Sequence, residues 1–348
     1  MRQVTPQLEA ICQAVQQNCH IADANQAGDY TLCVYLLKMR ELYRWEQARP
    51  FSETLANDSV GVWLKKRELL WDDLADKDFS PLHFNNNEFD PFDSDAINSA
   101  LLPYGMIYSG GFGLRSRPHF FLAKLERHHE HEDFRVYISA DEYARDITAP
   151  PAMSLGNTIY IRREAVKRML WEKIDTWNWN KPDNAMGKAI AAYDFKNDVD
   201  SALDKMTEAE LENILLHEIG EVKAGKILGQ EWEELLINLT HSKAEIMLRA
   251  VRDHLADALS TLPAIIDSDN PAALNFYIGN LTNMHKHLYP ALIRAYESWL
   301  VTNSVDALKQ VVEQNALQWQ QIAKKALALG KEANTHSKIV EMIENNRI

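Results

Sequence analysis

Between Leu8 and Glu46 apolar positions recur at helical spacing in two runs, separated by the turn-forming DANQAGD. The pattern predicts a helical hairpin whose second arm carries YLLKMRELYRWEQ. A third helix is expected around Val60 to Leu74. The polar stretch NNNEFDPFDSD then reads as a loop ending in an N-cap at Asp93 or Ser94. Its acidic residues lack the order and central glycine of an EF-hand, which favours a capped loop over a calcium site.

From Tyr104 to Ser139 the period changes. YGMIYS, PHFFLAKL and FRVYIS are rich in aromatic and β-branched residues and predict three antiparallel strands. The first connection, GGFGLRSR, combines glycines with Arg115 and Arg117, a chemistry suited to holding an anion or simply to an exposed hairpin loop. The second, RHHEHED, is a solvated turn. APPAMSLGNT punctuates the chain, and from Arg163 onward almost everything reads helical, with breaks near Pro182, Pro263 and Pro271. The expected fold is therefore α+β, predominantly α-helical, with a small three-stranded antiparallel sheet inserted mid-chain. This divides the chain into three regions: a helical one over 1–100, a β region over 101–162, and a helical region over 163–348 that carries the candidate site.

Composition narrows the function. With 348 residues, 46% of them hydrophobic, the chain can bury a substantial core. A net charge of -13 repels phosphate backbones and anionic lipid surfaces, so nucleic acid and membrane are not expected partners. Cys12, Cys19 and Cys33 show no redox or zinc-ribbon spacing, and no window is apolar enough to span a bilayer. A cytoplasmic protein is expected. A protein partner or a homo-oligomer stays open.

The chemistry concentrates at LLHEIGE, residues 215–221. On a helical wheel Glu218 falls inside an apolar arc with Leu211, Ile214, Leu215, Val222, Gly225 and Leu228, while His217 and Glu221 are neighbours one turn apart. A carboxylate drawn into a core needs a cation, a hydrogen bond, a proton or a metal. His217 and Glu221 can converge on zinc or iron, with Glu218 as a further ligand or the general base. His241 and Glu245 repeat the spacing, although Ser242 with Glu245 also fits a capping box and Glu245 with Arg249 an ion pair. Asp253 and Asp257 share a stripe with Leu239, Ile246 and Ala250 and are expected to point inward, as further ligands or in a network with Arg249 or Arg252. His285 and His287, two residues apart, read as satisfied or surface histidines. Arg40 and Arg44 lie on the stripe of Cys33, Leu36 and Leu37, and are expected to pair with buried carboxylates, to clamp a small anionic substrate together with Arg115 and Arg117, or to reach solvent.

LLHEIGE resembles the LLHDIGK-type segment of HD-domain phosphohydrolases, with Glu218 in place of the aspartate and no histidine between His131 and His217 to act as upstream ligand. It also resembles the HExxH of zinc proteases, with Glu221 where the second histidine belongs. Across most of the chain, YLLKMRELYRWEQ, PHFFLAKL, EYARDITAPPAM and LLHEIGE resemble a group of uncharacterised bacterial proteins of similar length. That resemblance implies a shared fold and supplies neither a reaction nor a cofactor. The residues themselves point to a zinc- or iron-dependent enzyme, with hydrolysis or di-iron oxygen chemistry as reaction types. The competing reading is a non-enzymatic acidic interaction protein whose buried Glu, Asp and Arg are structural.

Overall fold

The computed structural model describes residues 6–113, 117–332 and 334–348, so Arg115 lies outside the described residues. The chain divides into two compact units: Met1–Lys173 with Lys196–Thr207, and Ile174–Phe195 with Glu208–Ile348.

In the first unit, α1 (Pro6–Gln26) and α2 (Leu32–Glu46) are the two helices read from the sequence, and α3 (Asn57–Asp72) comes next and touches both. α2 is buried at its C-terminal end rather than along the whole expected stripe. Cys33, Leu36 and Leu37 are exposed, whereas Met39, Leu42 and Tyr43 are buried, together with Arg44. NNNEF is likewise no plain loop. β1 (Leu82–Phe84) and β2 (Asn87–Phe89) pair as a short hairpin across Asn85 and Asn86, whose positive φ of 51° and 61° is a conformation asparagine tolerates. Asp93 then caps α4 (Ser94–Leu101), accepting the Ala96 N–H at 3.0 Å.

The three strands read from the sequence exist as β3 (Met106–Phe112), β4 (Pro118–Glu130) and β5 (Arg135–Arg145). The expectation of a small three-stranded antiparallel sheet is nevertheless overturned. Two further strands, β6 (Ala152–Leu155) and β7 (Thr158–Arg162), extend it to five in the order β3-β4-β5-β7-β6. The sheet is mixed, because β7 runs parallel to β5 while its other pairings are antiparallel. What read as punctuation, SLGNT, is a two-residue hairpin turn in which Gly156 takes φ +56°. Alternation along β4 serves two cores. Phe120 and Leu122 pack with Ile11, Val15 and Cys19 of α1, and Phe121 and Ala123 pack with Ile107, Tyr137 and Tyr160 on the opposite face.

α5 (Arg163–Asn178) and α7 (Val199–Leu228) pass from one unit into the other, with α6 (Ala185–Ala191) between them. The rest of the second unit comprises α8 (Gln230–Asn238), α9 (Lys243–Ala256), a π-helical turn (Asp257–Thr261), α10 (Leu262–Asp267), α11 (Pro271–Asn280), α12 (Asn283–Leu288), α13 (Pro290–Thr302), α14 (Asp306–Leu329) and α15 (Thr335–Glu344). Its core gathers Trp232, Met247, Val251, Leu255, Leu292 and Trp319 around α9. No helix among the described residues is long and apolar enough to cross a membrane.

Candidate metal centre

Gly220 sets the site. A methyl group added there would sit 2.4 Å from the carbonyl oxygen of Ala256, so α7 and α9 approach at a distance only glycine allows. Around this crossing, His217 and Glu221 of α7 meet Asp253 of α9. One donor atom from each lies within 4.8 Å of the others, close enough to converge on one cation.

Each member is braced. His217 Nδ1 is 2.8 Å from Asp257 Oδ1, and Tyr277 Oη donates to the other oxygen of that carboxylate at 2.7 Å. His217 Nε2 is 3.7 Å from Glu221 Oε1, which accepts from Arg252 Nη2 at 2.8 Å. Asp253 Oδ2 lies 3.1 Å from His285 Nε2. Asp257 opens the π-helical turn, a local widening of the helix of the kind often found at functional sites.

The electrostatics arise from this packing. Burial alone would lower the basicity of His217, but Asp257, then Glu221 and Glu218, outweigh it and raise its pKa to about 10. Burial would raise Asp257, yet His217 and the Tyr277 hydroxyl hold it below the ordinary carboxylate range. His254, behind the cluster, is fully buried and stacked on Trp319 with ring centroids 4.7 Å apart. Burial, reinforced by His285, lowers its pKa to about 4, so it is neutral. The cluster thus has a surplus of negative charge that a proton on His217 or a metal ion can balance. Asp257 on Nδ1 is the second partner a metal-bound histidine usually has, and it leaves Nε2 as the donor facing Glu221.

The other residues singled out from the sequence divide between this cluster and separate contacts. Glu218 is buried on α7, close enough to act on His217. Asp257 joins the cluster as the brace of His217. His241 and Glu245 are not part of it: Ser242 Oγ accepts the Glu245 N–H at 3.1 Å, Glu245 accepts the His241 N–H at 2.7 Å, and Arg249 pairs with Glu245 at 2.9 Å. That is the expected N-cap with its ion pair, the return bond from Glu245 reaching His241 instead of Ser242. In the first unit, Arg44 donates to Glu41 at 3.1 Å, and Arg117 donates to Asp29 at 2.7 Å while lying over the Tyr30 ring. Arg40 is half-buried on α2. His285, read as a satisfied or surface histidine, is a cluster residue that sequence reasoning missed. Its spacing to Asp253 carries no periodic signal, because the two are brought together by α12 folding against α9.

The model of a family of unknown function (DUF6866) matches the chain twice, its N-terminal domain over residues 10–162 and its C-terminal domain over residues 167–346. The chain belongs to this family. The C-terminal DUF6866 domain contains the entire cluster from His217 to His285. No HD-domain or zinc-protease family model matches, so the local likeness of LLHEIGE to them stays a likeness of one helix. No curated protein and no solved structure matches the chain.

Proposed function

We propose that this protein is a metal-dependent enzyme that binds zinc or iron through His217, Glu221 and Asp253. The observation that carries the reading is the convergence of these three donors within 4.8 Å, with Asp257 bracing the far nitrogen of His217. Three protein donors leave a coordination position for water, and a bound metal supplies the acidity that makes such water a nucleophile at neutral pH. Hydrolysis is the reaction class this favours, with Glu218 as the proton acceptor beside His217. Arg252, bonded to Glu221, is a cation beside the cluster that would face the negative end of a small anionic substrate.

A second reading has its own support. Arg252 already occupies one oxygen of Glu221, and a protonated His217 satisfies Asp257, so the same residues make a structural ion-pair network without chemistry.

Elemental analysis of tag-free protein, purified without chelator or nickel resin, separates the two. Near-stoichiometric zinc or iron in the wild type, lost in His217→Ala, is the expected result. A wild type that stays metal-free after incubation with zinc and with ferrous iron would refute the metal reading and leave the network. Zinc uptake is also expected to release a proton from His217 at neutral pH, visible as a binding enthalpy that depends on the ionisation enthalpy of the buffer.

A further inference from the structure

The first unit holds a separate cleft of about 850 Å³, walled by the end of α2 and the loop after it, by β5 and by α5. Three arginines in its lining, Arg44, Arg145 and Arg168, are almost completely buried, at 2%, 2% and 6% exposure. Burial at that level calls for an acceptor on every N–H, since a guanidinium carries five donors and cannot shed its charge.

The protein supplies only some. Arg44 Nε donates to Glu41 at 3.1 Å and Nη1 to the Glu53 carbonyl at 3.1 Å. Arg168 Nη2 donates to the Ala149 carbonyl, and its Nε is 3.6 Å from Glu172. Arg145 Nε stands 3.8 Å from Glu142, whose other oxygen takes Arg162 at 2.6 Å. Arg44 Nη2, Arg145 Nε and Nη2, and Arg168 Nε are left without a hydrogen-bond partner. Acids in the cleft do not fill the gap. Of the six carboxylates in the lining, Glu41 takes Arg44, Glu46 takes Arg67, Glu142 takes Arg162, Asp200 the Phe51 N–H and Glu164 the Glu142 N–H, and Asp141 is exposed.

Cations therefore crowd one another. Burial, then Arg145, pulls Arg168 down to about 10, and burial, then Arg168, pulls the adjacent Lys38 down to about 8. Aromatic faces line the same space. Arg145 lies 5.5 Å from the Trp45 ring centre and Arg44 5.4 Å from that of Phe51.

We propose that this cleft binds a small organic oxyanion, a carboxylate or a phosphate ester. Its charged group meets the unpartnered donors of Arg145 and Arg168, and its apolar body lies against Trp45 and Phe51. The site is independent of the metal reading, whose residues belong to the other unit.

The test is calorimetric titration of the full chain with phenyl phosphate and with phenylacetate at fixed ionic strength. Binding of either supports the proposal, and the tighter of the two identifies the charged group. Arg145→Lys, which keeps the charge but loses the fork, and Lys167→Glu, which reverses a charge in the cleft lining, are each expected to weaken binding by at least about tenfold. Lys167 is half-buried and pairs with the exposed Asp204, so Lys167→Glu remains decisive if Arg145→Lys does not fold. A folded wild type that binds neither compound up to about 10 mM would overturn the proposal, as would a folded variant that binds as tightly as wild type.

Discussion

His217 and Asp257 show how one contact links stability to pH. The His217 pKa is raised from 6.5 to about 10, so in metal-free protein its contribution is full below pH 6.5 and is lost as pH rises to about 10. Over that window the folded state holds a proton the unfolded chain has released, and stability falls. Urea unfolding of metal-free protein across this range is expected to show the decline, and His217→Gln to remove its share of it. Asp257→Asn leaves His217 without its principal anion. NMR titration is expected to find the His217 pKa shifted down, and unfolding to find a loss of about 1–3 kcal/mol, because His217 is a third exposed and solvent screens the pair. If the histidine pKa does not move, the brace has been wrongly assigned.

At the scale of elements, the crossing of α7 and α9 depends on a missing side chain. Gly220→Ala would place a methyl group against the Ala256 carbonyl, and separating the helices is expected to cost about 1–3 kcal/mol. Because His217, Glu221 and Asp253 flank that crossing, metal retention should fall with it, which denaturation and metal analysis on one preparation would check. The sequence made parts of this arrangement legible. The 3.6-residue period revealed α1, α2 and α7, and the one-turn spacing of His217 and Glu221 placed both on one side of α7. Other parts were hidden for physical reasons. β7 is five residues long, buried throughout and paired in parallel with β5, which no tight turn can join to it, so neither alternation nor a local turn announced the pairing. On α2, Leu36 and Leu37 looked like a core stripe but are exposed, because only the C-terminal half of the helix, from Met39 to Arg44, is buried in the unit. Nor does periodicity record that His285 meets Asp253 or that Arg252 turns to Glu221, since both contacts are made by helices folding together.

For the molecule as a whole, the second unit combines two histidines of opposite behaviour. His254 is held at about 4 against 6.5 for a free imidazole, so the unfolded chain binds a proton there that the folded one refuses, and stability drops as pH falls from 6.5 to about 4. With His217 acting above that range, the histidine contribution to stability should be greatest near pH 6.5, and His254→Gln should flatten the acid side alone in a pH series of thermal unfolding. Trp319→Ala, which removes the ring stacked on His254 in the core, is expected to cost about 3–5 kcal/mol. The π-helical turn at Asp257–Thr261 has a consequence for descent. Such a turn is a helix with one residue inserted, and deleting that residue would restore a regular α-helical turn and re-aim Asp257, which opens it. Substitutions could accumulate around it one at a time, but a change of length could not be absorbed gradually. Across related chains, the count of residues from Asp253 to Leu262 should therefore stay fixed while the surface loops of the same unit lengthen and shorten freely.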